Sequence, residues 1–153
     1  MFEYLYKSKK PFLSDNAPLL IDLFSGGGGI KTGAVMAGFI PHGVEKDPDN
    51  PELSNTFAKW HKINFSEYGS TTIVKTVQEM YLSGWQGLPR NALWGHASPV
   101  CTRFSGFSRV NNEKEDLKDI TSAKAVADAI AFLNCNYWSI EQVPNYINSD
   151  SFK

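Results

Sequence analysis

The sequence predicts an α/β domain built on a doubly wound, mostly parallel sheet, and three observations carry that expectation. An apolar run broken only by one aspartate, Pro18-Leu19-Leu20-Ile21-Asp22-Leu23-Phe24, passes through Ser25 into four successive glycines, Gly26 to Gly29. Segments of helical spacing then alternate with short apolar runs through the rest of the chain. The length of 153 residues suits one domain. Apolar runs are what strands buried on both faces need, and their alternation with helices is the pattern of parallel sheets.

Residues 1–17, with Lys7, Lys9, Lys10 and Pro11, read as a polar, weakly ordered lead-in, and 18–153 as the domain. The first strand is Pro18 to Phe24. The glycines after it cannot continue a strand, and they permit positive φ or close approach of a ligand. Ile30 to Gly38 has helical composition, and Phe39 to Val44 reads as a second strand ending at Glu45-Lys46-Asp47. Asn50 and Pro51 form an N-cap and first-turn pair, followed by Leu53, Phe57 and Trp60 on one helical face. Ile63-Asn64-Phe65 is expected as a brief third strand, and Ser70 as the cap of a stretch carrying Ile73, Val74, Val77 and Met80 at helical spacing. Ala92 to His96 is the expected fourth strand. The tract from about Ser98 to Asp119 is rich in Gly, Asn, Ser and charge, and connections of that length are functional or unstructured. Ile120, Ala123, Val126, Ala127, Ile130 and Leu133 mark an amphipathic helix, and Tyr137 to Ile140 a fifth strand ending at Glu141.

Fifteen Lys and Arg against sixteen Asp and Glu leave a net charge of −1, without the basic excess of a dedicated nucleic-acid binder. A hydrophobic content of 42% excludes a disordered chain. No apolar run approaches a membrane span and no secretory leader pattern opens the chain, so a soluble, intracellular protein is expected, with no membrane partner. Two cysteines, Cys101 and Cys135, make no disulfide framework, and no His/Cys cluster has zinc spacing, so no metal is expected.

In doubly wound sheets ligands sit at the carboxyl ends of the strands. The glycine segment is either a tight turn or a cradle whose N–H groups meet a ligand. Glu45, 17 residues beyond Gly28, stands near the spacing of acids that bind ribose hydroxyls, which favours a nucleotide-like cofactor. The chain lacks the GxxxxGK[ST] order of a phosphate loop at this turn, which argues against ATP hydrolysis. Cys101 is either a small buried hydrophobe or, in a polar loop beside Arg103, an exposed thiolate. Cys135 closes an apolar helix and reads as a thiol without a role. Glu141 is either a solvated acid or, beside an apolar run, a proton donor with a raised pKa.

At these residues the sequence resembles the DNA cytosine-5 methyltransferase family, in the family's own motif order. Asp22-Leu23-Phe24-Ser25-Gly26-Gly27-Gly28-Gly29 is similar to the first motif, which holds S-adenosylmethionine, and Val44-Glu45-Lys46-Asp47 to the second, whose glutamate binds the ribose. Asn64-Phe65 is aligned with the third, where an aspartate usually contacts the adenine. Pro99-Val100-Cys101-Thr102-Arg103-Phe104-Ser105 resembles the Pro-Cys-Gln loop, and Ile140-Glu141-Gln142-Val143-Pro144 the Glu-Asn-Val motif. Val100, Gln142 and Asn64 stand where the family has proline, asparagine and aspartate.

The resemblance implies a Rossmann-like sheet of the S-adenosylmethionine-dependent methyltransferase type, incomplete at its C-terminal side. It implies Cys101 and Glu141 as catalytic residues, and Phe24, Ser25, Gly26, Gly28, Gly29, Glu45, Lys46, Asn64, Phe65 and Val100 around the cofactor. Thr102, Arg103, Ser105 and Gln142 are the implied substrate contacts. The implied partners are double-stranded DNA with a flipped cytosine and a second chain or segment for target recognition. The implied setting is a bacterial or phage-like cytoplasm. In the implied reaction the thiolate adds to C6 of the cytosine, which splits one difficult substitution into easier steps. The alternative is a catalytically inactive S-adenosylmethionine-binding module or partner subunit. A nicotinamide-dependent oxidoreductase, the third reading, rests on the glycine turn and Glu45 alone.

Overall fold

Apolar side chains at successive positions of a strand need cover on both faces, and the computed structural model provides it. It describes residues 12–46, 50–99 and 117–144, those of 117–121 by backbone alone. The elements are β1 (Leu19–Leu23), α1 (Gly29–Met36), β2 (Ile40–Val44), α2 (Pro51–Phe65), a 3-10 turn (Ser66–Tyr68), β3 (Thr72–Ile73), α3 (Val77–Leu82), β4 (Trp94–Ala97), α4 (Leu117–Leu133) and β5 (Tyr137–Ile140). The strands form one sheet in the order β3-β2-β1-β4-β5, every pairing parallel. This is the doubly wound, Rossmann-like arrangement, with its switch point between β1 and β4, the two strands from which the chain turns outward in opposite directions.

Alternation along the strands sorts the two faces. Ile21, Leu23, Val44 and Ala97 point to one side, where they form the main core with Val77 and Met80 of α3, Ala125, Val126, Ala129 and Leu133 of α4, and Trp85. Each buried Val, Leu, Ile or Met side chain there contributes about 1.5–3 kcal/mol by leaving water. Trp85 is buried with a left-handed backbone, and its indole N–H donates to the Asp128 carboxylate over 2.7 Å, tying the α3–β4 connection to α4. Asp22 and Gly43 point to the other side, beneath α1.

Asn50 caps α2 by accepting the Leu53 N–H, with Pro51 in the first turn, as expected. The third strand is a correction. Helix α2 continues through Ile63, Asn64 and Phe65 because Phe57, His61 and Phe65 repeat on one face at four-residue intervals, with His61 and Phe65 buried. The strand is instead Thr72–Ile73, two residues that hydrogen-bond beside β2. Ser70 likewise caps no helix, since its hydroxyl donates to the Pro41 carbonyl. The cap of α3 is Thr76, in a reciprocal capping box with Glu79. The other strands lie within two residues of their expected bounds. Residues 1–11 of the expected lead-in lie outside the described residues, as does most of the tract after Pro99. Among the described residues no helix is long and apolar enough to cross a membrane.

Candidate functional site

The carboxyl ends of β1, β2 and β4 meet at the glycine turn. Phe24 leaves β1 with φ 65, a left-handed conformation uncommon for an aromatic residue and sustained only where surrounding bonds dictate it. Those bonds are present: the Ser25 N–H donates to the Val44 carbonyl, the Gly28 N–H to the Ser25 carbonyl, and the Ser98 N–H to the Leu23 carbonyl. Ser25 is buried, and its hydroxyl donates to the Asp22 carbonyl over 2.7 Å. It therefore builds the turn from inside instead of facing a ligand.

Gly28, at φ 90, is required on two counts. Its backbone is left-handed, and a Cβ there would lie 2.8 Å from the Phe65 ring. Phe65 is thus a buried support under the turn, which corrects its expected place against the cofactor. Asn64 is exposed in the last turn of α2 and does not follow a strand, as the third motif's place was expected to. The carboxyl end of β3 instead presents Val74, 44% exposed, followed by the Thr76 cap.

Glu45, immediately after β2, accepts the Gly26 N–H through one carboxylate oxygen at 2.6 Å. Lys46 extends from the same strand end to Glu79, with Nζ 2.7 Å from its carboxylate, and the lysine holds the Glu79 carboxyl below its ordinary range. Both partners are substantially exposed, so the pair adds at most ~1 kcal/mol. On the outer side of the turn nothing lies within 4 Å of the positions that Cβ atoms of Gly26 and Gly29 would take. Open space beside Gly26 and Gly29, an adjacent carboxylate and an exposed valine fit the ribose- and adenine-bearing cofactor that the sequence suggests.

At the other half of the switch point, Glu141 is exposed just beyond β5, and its N–H donates to the Ala97 carbonyl of β4. The Gln142 side chain donates to the Pro99 carbonyl over 2.8 Å, while its own oxygen accepts the Val143 N–H. The carboxyl ends of β4 and β5 are thereby joined directly before residue 100. Cys101, Val100, Thr102, Arg103 and Ser105 lie outside the described residues. Cys135 is half-buried against the core, and burial pushes its thiol up to about 11, against a hydrogen bond with the Ala92 backbone. Among the described residues no group of His, Cys, Asp or Glu is placed to hold a metal ion.

Beneath the turn lies a polar cluster that the periodicity did not flag. Lys31 is fully buried, on the same face of α1 as Ala34 and Val35. Its Nζ donates to Thr72 Oγ1 at 2.7 Å and to the Thr71 carbonyl at 3.3 Å, and stands 5.0 Å from the centroid of the Phe65 ring. Thr72 Oγ1 is also 3.1 Å from His61 Nδ1, and His61 Nε2 is 2.8 Å from the Gly26 carbonyl oxygen. Asp22, 1% exposed, has no hydrogen-bond partner on either carboxylate oxygen among the described residues. Burial raises its carboxyl to about 7, opposed by the Lys31 charge and the Ser25 hydroxyl, and burial lowers Lys31 to about 8, opposed by Asp22. In register beside Asp22 is His96, whose Nδ1 is 2.8 Å from the Ser139 hydroxyl. Burial lowers the His96 pKa, against the charge of Glu141. The signal in the sequence was a lysine on the apolar stripe of a helix, which composition alone assigns to solvent.

No protein-family model and no curated protein matches the chain. Among solved structures it is similar to a TehB-like SAM-dependent methyltransferase from Corynebacterium glutamicum, at 13% sequence identity and a TM-score of 0.48. The similarity covers 83% of this chain and 55% of that one, so the chain spans little more than half of that protein's length.

Proposed function

We propose that this chain is the cofactor-binding and nucleophile-bearing part of an S-adenosylmethionine-dependent methyltransferase acting on C5 of cytosine in DNA. The motif order in the sequence motivates the reading, and one structural observation carries it furthest. The Gln142 side chain holds the Pro99 carbonyl, so that Pro99 and Glu141 stand together at the carboxyl ends of β4 and β5, and Cys101 follows Pro99 by two residues in the sequence. A carboxylate and a thiol are the groups that nucleophilic activation of a pyrimidine requires.

In this reading the Gly26 to Gly29 turn and Phe24 hold the methionine end of the cofactor, Glu45 accepts from its ribose, and Val74 packs on its adenine. When bound, the cofactor supplies an electrophilic methyl group. Cys101, as thiolate, adds to C6 of a cytosine flipped from the duplex, and Glu141 holds N3 by a hydrogen bond as charge develops on the ring. Gln142 holds the Pro99 carbonyl, two residues before the thiol in the sequence.

Two measurements test this. Calorimetric titration is expected to show binding of S-adenosylmethionine and S-adenosylhomocysteine, with no binding of nicotinamide dinucleotides. Mass spectrometry after incubation with S-adenosylmethionine and a duplex containing 5-fluorocytosine is expected to show a covalent adduct at Cys101, lost in Cys101→Ser. Cofactor binding without an adduct selects the inactive binding module, and failure to bind the cofactor overturns the whole reading.

A further inference from the structure

We propose that Lys31, acting through Thr72 and His61, is the positioning residue that sets the conformation of the glycine turn for its cofactor. The inference rests on the cofactor reading above and adds a group that does not touch the ligand.

The direction of the hydrogen bonds follows from the chemistry of the donors. An ammonium group only donates, so Thr72 Oγ1 accepts from Lys31 at 2.7 Å. The Gly26 carbonyl can only accept, so His61 Nε2, 2.8 Å away, carries the imidazole proton and donates it. A neutral imidazole protonated at Nε2 accepts at Nδ1, where the Thr72 hydroxyl, 3.1 Å away and already accepting from Lys31, is placed to donate its proton. Burial and the nearby Lys31 charge both disfavour a second proton on His61, against the Gly26 carbonyl, which favours it. The acceptor-only carbonyl at one end and the donor-only lysine at the other thereby fix one direction for every bond between them.

Gly26 is the point of delivery. Its carbonyl is held by His61 from below and its N–H by Glu45 from β2, so the peptide groups on both sides of its Cα are fixed. Glu45 is the residue assigned to the ribose. One continuous chain therefore runs from α1 through β3 and α2 to the turn and the end of β2. A lysine kept from water is costly unless its bonds are used, and a threonine or a backbone carbonyl would be satisfied more simply by a polar neutral side chain. What a cation adds is a fixed polarity along the chain, since it cannot reverse its role as donor.

The test combines affinity with a spectroscopic readout, on the full chain. In wild type, nitrogen chemical shifts of His61 are expected to report the Nε2–H tautomer. Lys31→Met and Thr72→Val are expected to keep the Nε2–H tautomer, to shift the His61 Nδ1 resonance as the bond it accepts is weakened or lost, and to weaken S-adenosylhomocysteine binding by about tenfold or more, with the double variant no weaker than the worse single one. Thr72→Val is the safer variant where Lys31→Met fails to fold, since it is nearly isosteric and breaks the chain at its middle. Thr72→Ser is expected to keep both the Nδ1 resonance and the affinity near wild type. An unchanged Nδ1 resonance and affinity in the folded variants overturn the proposal and leave the cofactor reading intact. A wild type with the Nε2–H tautomer that binds no S-adenosylhomocysteine overturns the cofactor reading and the positioning role together.

Discussion

The Lys31 side chain crosses β2 over Gly43, and the absence of a side chain at position 43 leaves the room it occupies. A Cβ at position 43 would lie 3.4 Å from Lys31 Cδ and would collide with the Ser25 hydroxyl. Gly43→Ala therefore overfills a packed layer, and chemical denaturation is expected to show a loss of about 1–3 kcal/mol. Because the nearer clash is with Ser25, adding Ser25→Ala should recover part of that loss. Equal stabilities of the single and double variants would refute this packing argument.

Among the described residues, Asp128 is the hydrogen-bond acceptor for the buried Trp85 indole, at 2.7 Å. Asp128→Ala leaves that N–H unpaired inside the core, which costs about 1–3 kcal/mol. Asp128→Asn keeps an acceptor oxygen and is expected to lose less. Tryptophan emission together with the denaturation midpoint reads both effects, and a midpoint unmoved in Asp128→Ala would show that the bond contributes nothing net.

These positions mark how far the sequence was legible. β1 was legible because a strand buried on both faces must be apolar, and the ends of β1, β2 and β5 fell where glycine or acid follows the run. β3 was not, since two residues, Thr72 and Ile73, are too few to show any period. The apolar residues near Phe65 drew the strand assignment to the end of α2, and Asn64 and Phe65 were read at a strand end although they are helical. Gly28 and Glu45 were legible at the turn because spacing from a strand end is a backbone property. Lys31, Thr72 and His61 were not, because a buried ion's partners come from three separated elements and leave no local pattern. Cys101 remains an assignment of sequence, outside the described residues.

Burial of Asp22 and Lys31 predicts opposite pH limbs for stability. The Asp22 carboxyl is raised from 3.8 to about 7, first by burial, with Glu45 adding to the rise and Lys31 and Ser25 opposing it. Between those values the folded protein holds a proton that the unfolded chain releases, so stability falls as pH rises from about 4 to 7. Lys31 is lowered from 10.5 to about 8, and there the unfolded chain holds the extra proton, so stability rises from about pH 8 to 10. His42, His61 and His96, all lowered by burial, act against the Asp22 limb near pH 6. The difference between wild type and Asp22→Asn isolates that limb. It is expected to amount to a few kcal/mol, since each tenfold change in proton affinity corresponds to about 1.4 kcal/mol. Parallel stability profiles for the two proteins from pH 4 to 7 would remove Asp22 as its source.

Gln142 offers the sharpest separation between loop and cofactor site. Its side-chain nitrogen donates to the Pro99 carbonyl at 2.8 Å, and its oxygen accepts the Val143 N–H at 3.0 Å, so the amide bridges the chain before residue 100 and the chain after Glu141. Gln142→Ala removes both bonds at a partly exposed position, where a net cost of about 0.5–1.5 kcal/mol per bond applies. The glycine turn and Glu45 are untouched, so S-adenosylhomocysteine affinity is expected to stay within about twofold of wild type, well under the tenfold that 1.4 kcal/mol represents. The rate of adduct formation with 5-fluorocytosine DNA is expected to fall by about tenfold or more, because small displacements of a reacting group are costly in rate. Gln142→Asn, one methylene shorter, should fall between the two. If the Ala variant traps DNA at the wild-type rate, the Pro99 contact does not position the thiol, and the link from Gln142 to Cys101 is broken.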